Sequence, residues 1–160
     1  MKKLSDLTKE SGGSTRLLWA HDYYDGPING MVLWEGKKAW FEQGEERFDK
    51  VPMSPREIEA LKKYPDAYSA YEAQGFVETV EIRQYKVYAV TEEEFSPRDH
   101  NVSFWIETVG NSWRYDEINR RVDTPVKPGF EANYERYKKE CLPEPPISMT
   151  EDRLLGEFEW

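Results

Sequence analysis

The sequence predicts a single α+β domain, an antiparallel sheet with helices packed on one side. Three observations lead there. Aromatic and apolar residues recur at strand-like spacing in several short stretches, most of them early in the chain. Two capping boxes, S-P-R-E and T-E-E-E, open helical segments between those stretches. The length of 160 residues fits one domain with its own core.

The elements follow in order. Residues 1–15 end in S-G-G-S-T and predict a flexible N-terminal segment, with the α+β domain spanning 16–160. Residues 17–24 read as a strand with Leu17, Trp19 and Tyr23 on one parity. Asp25-Gly26-Pro27 cuts it, and Asn29-Gly30 is a second turn or bulge signal. Residues 30–35 and 38–42 form a hairpin about Glu35-Gly36-Lys37, where Gly36 supplies the positive φ of a tight turn. Both parities of this hairpin are apolar: Met31, Leu33, Ala39 and Phe41 on one, Val32, Trp34 and Trp40 on the other. Such strands are buried on both faces or display an adhesive one.

Ser54 caps a helix with Pro55 at its first position and Glu57 closing the box. Pro65 divides that helix in two or kinks it, and Gly75 ends it. Residues 77–90 are a strand whose apolar register slips midway, as at a bulge or a change of partner. Thr91 and Glu94 form the second box; Pro97 limits the helix they open, and a separate one follows near 102–109. Residues 112–128 read as irregular. Residues 130–140 form an amphipathic helix along Phe130, Tyr134 and Tyr137, and the proline-rich stretch 142–147 is extended. Residues 154–160 close the chain as a strand.

Composition bounds the function. Net charge is −9, from 31 acidic and 22 basic residues, which argues against nonspecific binding to nucleic acid. The lone Cys141 forms no intramolecular disulfide and fits a reducing compartment. The charged N-terminus lacks the apolar stretch of a signal peptide, and no run is long enough for a membrane span. These features predict a soluble, cytoplasmic, bacterial-type protein that uses no membrane, metal or cofactor. Motifs for nucleotide hydrolysis, dinucleotide binding and serine-hydrolase chemistry do not occur.

Two function classes remain. With 6 Trp, 10 Tyr and 7 Phe, aromatic residues must build much of the core, and some Trp and Tyr are expected where one edge stays wet, as at binding surfaces, the alternative being an aromatic-rich core with none exposed. Its last 21 residues hold six acids against one base, Arg153. Together these predict a non-catalytic protein-binding module, immunity- or inhibitor-like, that docks a basic partner through Trp34, Trp40, Glu151, Asp152, Glu157 and Glu159. The other class is a small enzyme or ligand-binding protein with a pocket near the turn at 22–30, using His21 or His100. There His21, Asp22 and Asp25 are the candidate acid–base groups. His21 and Asp22 point to opposite faces of a strand, and no ligand spacing supports a metal. Packing of His21 among its aromatic neighbours is the plainer reading. His100, beside Asp99, also fits an ordinary polar helix end. Trp34, Trp40, Trp105, Trp113, Tyr85 and Tyr88 can line a groove for a peptide or planar ligand, with about half of them expected in the core. Arg114, Arg120 and Arg121 suit a carboxylate or phosphate, or simply a solvated loop.

Overall fold

A computed structural model describes residues 1–23 and 26–160. The candidate Asp25 lies outside the described residues. The elements are α1 (Leu4–Glu10), β1 (Arg16–Tyr23), β2 (Gly26–Trp34), β3 (Lys37–Pro52), α2 (Pro55–Leu61), α3 (Pro65–Ala73), β4 (Val77–Ala89), α4 (Glu92–Thr108), β5 (Ser112–Tyr115), β6 (Arg121–Thr124), α5 (Phe130–Glu140) and β7 (Leu154–Glu159). The sheet has the order β1-β2-β3-β4-β7 and is antiparallel, so the mixed α+β class is as the sequence predicts. A second, two-stranded sheet pairs β5 with β6. The chain divides into two compact units, Met1–Gly44 with Gln84–Trp160, and Glu45–Arg83.

In the larger unit the sheet buries both faces, as the doubly apolar hairpin requires. Val32, Ala39 and Phe41 join Leu17, Tyr85, Val87 and Phe158 in one core. Their strand neighbours Met31 and Trp40 join Trp19 in a second. Adjacent strand residues face opposite ways, so these cores lie on opposite faces. Phe95 and Val102 of α4 and Ile147 of the extended stretch cover the Trp19 face. On the other face Leu4 of α1 is core, and Leu7 packs against it. The segment expected to be flexible is therefore tied to the fold. Two local irregularities set β1 against β2. Leu17 pairs with Val32 while Trp19 pairs with Met31, so Leu18 is an extra residue and the two core residues Leu17 and Trp19 fall on different faces. Asn29-Gly30 lies within β2 rather than in a turn, beside the second irregularity, where His21 pairs with Asn29 and Asp22 with Pro27 so that Ile28 is the extra residue, and Gly30 lets β1 approach closely.

The β2–β3 hairpin closes with Trp34 opposite Lys37, through Glu35 at φ 49° and Gly36 at φ 82°. Paired positive φ values match the right-handed twist of the strands. A Cβ at Gly36 would meet nothing within 4 Å, so the residue is required by its backbone alone. Gly36→Val is expected to cost about 1 kcal/mol or more, because a β-branched residue resists this conformation. An unchanged chemical-denaturation midpoint would refute that.

In the smaller unit, Ser54 Oγ accepts from Glu57 N at 3.2 Å, and Glu57 accepts from Ser54 N at 3.2 Å. The predicted box is formed. Ser54→Ala is expected to destabilise by roughly 0.5–2 kcal/mol, read as a lowered midpoint with unchanged denaturant dependence. Pro65 begins a separate helix, since its missing N–H costs nothing in a first turn. Gly75 follows that helix at φ 78°, and the Tyr68 and Phe76 rings meet edge-on at 5.3 Å.

Two expectations fail in instructive ways. Pro97 does not end α4, which runs unbroken for 17 residues. A proline here disturbs the backbone bonds of the turn before it. Arg98 Nη1 donates to the Glu94 carbonyl at 2.8 Å, which supplies a donor in that turn. Residues 112–128 are not all irregular either. The β5–β6 hairpin turns through Asp116, whose Oδ1 accepts from Ile118 N and Arg120 N, with Asn119 at φ 63°. Its strands are too short and too polar on the β6 side for an alternation signal. Among the described residues no helix is long and apolar enough to cross a membrane.

Candidate functional site

Beside the Trp19 core lies a cavity of about 250 Å³. Five segments of the larger unit build it. β1 supplies Trp19 and His21; α4 supplies Asn101, Val102 and Trp105; β5 supplies Trp113; α5 supplies Tyr137; and the extended stretch after α5 supplies Glu144. Asn101 and Trp105 are one helical turn apart and so share a face.

Each wall is fixed from behind. Trp19 Nε1 donates to Asp99 Oδ1 at 2.8 Å, and Asp99 Oδ2 accepts from Lys38 at 2.5 Å. Trp113 Nε1 donates to Asp22 Oδ2 at 2.8 Å, and the Tyr115 hydroxyl donates to the same oxygen at 2.7 Å. Burial and the bond to Asp22 push the Tyr115 phenol well above its ordinary pKa, so it stays a donor. Asp22 Oδ1 is buried and has no partner among the described residues. Two of the three tryptophans thus have their only polar side-chain atom engaged by Asp99 and Asp22, neither of which lines the cavity. Trp105 meets Tyr137 edge-on at 4.9 Å, and Tyr137 stacks on Phe104 at 6.2 Å. Burial, with Cys141 and the Glu144 carboxylate nearby, raises the Tyr137 phenol pKa.

The stretch bearing Glu144 has no sheet partner, and its prolines 143, 145 and 146 carry no N–H. Its other backbone groups need side-chain partners. Buried Asn101 provides them at one end, donating to Leu142 O at 2.8 Å and accepting from Leu142 N at 2.7 Å. Glu94 does so at the other, where Oε2 accepts from Ser148 N at 3.0 Å and Oε1 from Arg153 at 2.6 Å. The strap is clamped at both ends by residues seven apart on α4, and Glu144 stands between the clamps. It makes no hydrogen bond or ion pair among the described residues.

The sequence candidates fare differently. His21 lines the cavity, and its Nδ1 meets Asn29 Oδ1 of the paired strand at 2.9 Å. His100 does not line the cavity; it stacks on Phe104 at 6.0 Å. Asp22 is a structural acceptor for Trp113 and Tyr115. Trp40 is 6% exposed and Glu159 6% exposed, so neither side chain faces a partner. Trp34 lies over Gly156, stacked on Phe158 at 6.4 Å. Glu151, Asp152 and Glu157 are exposed. Tyr85 is core, its hydroxyl bonded to Pro27 O. Arg120 and Arg121 pair with Asp116 and Asp123, and Arg114 donates to Ser103. Cys141 caps the C-terminus of α5.

The sequence names Trp105 and Trp113 as groove candidates but not Asn101, Tyr137 or Glu144 as site residues. The i,i+4 pair of Asn101 with Trp105, and the prolines that flank Glu144, are the signals that mark them. Among the described residues no group of three or more His, Cys, Asp or Glu side chains is placed to hold a metal. Comparison with protein-family models, curated proteins and solved structures finds no match.

Proposed function

We propose that the protein is a non-catalytic small-ligand-binding protein and that the Trp19–Trp105–Trp113 cavity is its site. One observation carries this: Trp19, Trp105, Trp113 and Tyr137, two of whose indole N–H groups are bonded to Asp99 and Asp22, surround a space that His21 and the unpaired Glu144 also line. A docking module needs its aromatic and acidic side chains together on an open face. A ligand site needs a concave space in which ring or apolar surface and convergent polar groups meet. Trp40 and Glu159 lie buried, so the second requirement is the better supported.

The test is a small-molecule screen read by thermal unfolding and by the indole N–H signals of Trp19, Trp105 and Trp113. A true ligand at 100 times its Kd adds about 2.7 kcal/mol, a rise of about 5–10 °C for a chain of this size. It should move the cavity indole signals and leave that of Trp40 nearly still. A basic protein partner that binds through Glu151, Asp152 and Glu157, with a salt-sensitive association rate and unmoved cavity signals, would restore the docking reading. Turnover of a bound ligand, lost in His21→Ala, would replace binding by catalysis.

A further inference from the structure

We infer that the ligand of this cavity is a small organic cation whose ammonium head sits among the rings of Trp19, Trp105 and Trp113 near Glu144. The inference rests on the ligand-binding reading above and adds the charge and size class.

Sign comes first. Ring faces of Trp and Tyr carry negative potential and attract a cation within about 6 Å. Trp19 and Trp113 have their indole N–H groups bonded to Asp99 and Asp22, so the positive edge donor of each is already engaged. Among the described residues Glu144 is the one acidic residue lining the cavity, and no Lys or Arg lines it. An anion would find no Lys or Arg in the lining, and the Arg121 guanidinium over the Trp113 ring is already paired to Asp123. A cation would find three indoles, a phenol and an unpaired carboxylate.

The rings also show this behaviour within the fold. The Arg121 guanidinium lies 3.8 Å from the Trp113 centroid, with its charge paired to Asp123. Arg98 lies 5.4 Å from the Trp40 centroid on the neighbouring part of the same core. Size sets the class. At about 250 Å³ the cavity falls just below the roughly 300–1,000 Å³ of drug-sized sites, which suits a compact head group.

Preorganisation is the last support. Glu144 lies on a strap that Asn101 and Glu94 clamp at Leu142 and Ser148. Its backbone is stiffened further by Pro143 and Pro145 on either side. Little ordering is left for binding to impose on the carboxylate's attachment point.

The experiment compares choline with its neutral isostere, 3,3-dimethylbutan-1-ol, by titration against the indole N–H signals. Choline should shift the Trp105 and Trp113 signals saturably, and the isostere should bind about tenfold more weakly. Glu144→Gln should weaken choline by about two- to fivefold and Glu144→Lys by about tenfold, both leaving the isostere unchanged. Glu144 is exposed and unbonded, so both variants should keep the parent spectrum elsewhere. Equal binding of choline and isostere would overturn the cation assignment and leave the small-ligand reading standing. Failure of choline to shift any cavity signal would also overturn it, and the screen above then decides the wider reading alone. Choline binding that neither Glu144 variant alters would remove the carboxylate from the site and refute the proposal as stated.

Discussion

Gly30→Ala is expected to destabilise the protein by about 3 kcal/mol or more, at the upper end of overpacking costs. Gly30 of β2 pairs with Ala20 of β1. A Cβ there would stand 2.3 Å from Trp19 O and 2.7 Å from the Ala20 Cα, with Phe41 Cε1 at 3.0 Å. The first two contacts are backbone, so no rotamer change relieves them. β1 must move, and it carries Trp19 and His21 into the cavity. The variant should lower the denaturation midpoint with little change in slope, and the Trp19 and Trp113 indole signals should shift with it. The contrast with Gly36 is useful: one glycine is set by closeness of chains, the other by a positive φ. A Gly30→Ala protein within 1 kcal/mol of the parent would show that the strands separate freely.

Glu94→Ala is expected to cost about 2–4 kcal/mol, somewhat below the range for a fully buried ion pair because the Arg153 side chain is partly exposed. The residue is 7% exposed and binds Thr91, Ser148 and Arg153 at once. Its loss leaves the Arg153 guanidinium and the Ser148 N–H without their acceptor. It also breaks the helix cap and one clamp of the strap together. Acid should reproduce part of this. Burial pushes the Glu94 carboxyl up, but the N–H groups of Thr91 and Ser148, then Arg153 and the Thr91 hydroxyl, outweigh it. The pKa is held down at about 2 against an ordinary 4.5. The folded state therefore binds this proton less readily than the unfolded chain. Its contribution is complete above about pH 4.5 and is lost as pH falls from there toward 2. Glu57, through its bonds to Ser54, and Asp116, through the Arg120 N–H, are held low as well and add to the acid slope. Unfolding free energies of parent and Glu94→Gln, measured from pH 7 down to pH 3, isolate the Glu94 share. The variant should be less stable at neutral pH and should lose less on acidification. Parallel curves would refute the assignment.

What the sequence by itself determined is what a few adjacent residues control. Ser54-Pro55-Arg56-Glu57 and Thr91-Glu92-Glu93-Glu94 each contain both halves of a capping box, so both helix starts are legible and both form. Gly36 marks its turn because a positive φ is a local demand. Met31, Val32, Ala39, Trp40 and Phe41 announce a sheet apolar on both faces. Tertiary structure decided the cases where local signals compete. Pro97 is a helix breaker by local rules, yet α4 continues through it because Phe95, Val102 and Ile106 pack along its length. Asn29-Gly30 reads equally as a turn or a bulge, and only the pairing with β1 decides for a strand with an irregularity beside Asn29. The cavity belongs wholly to this second class. Asp22 reaches Trp113 across 91 residues, and Asn101 reaches Leu142 across 41. No spacing rule spans such separations. The pairings exist because a buried amide, a buried carboxyl and an unpartnered proline-rich strand must each find hydrogen-bond partners once the core has closed.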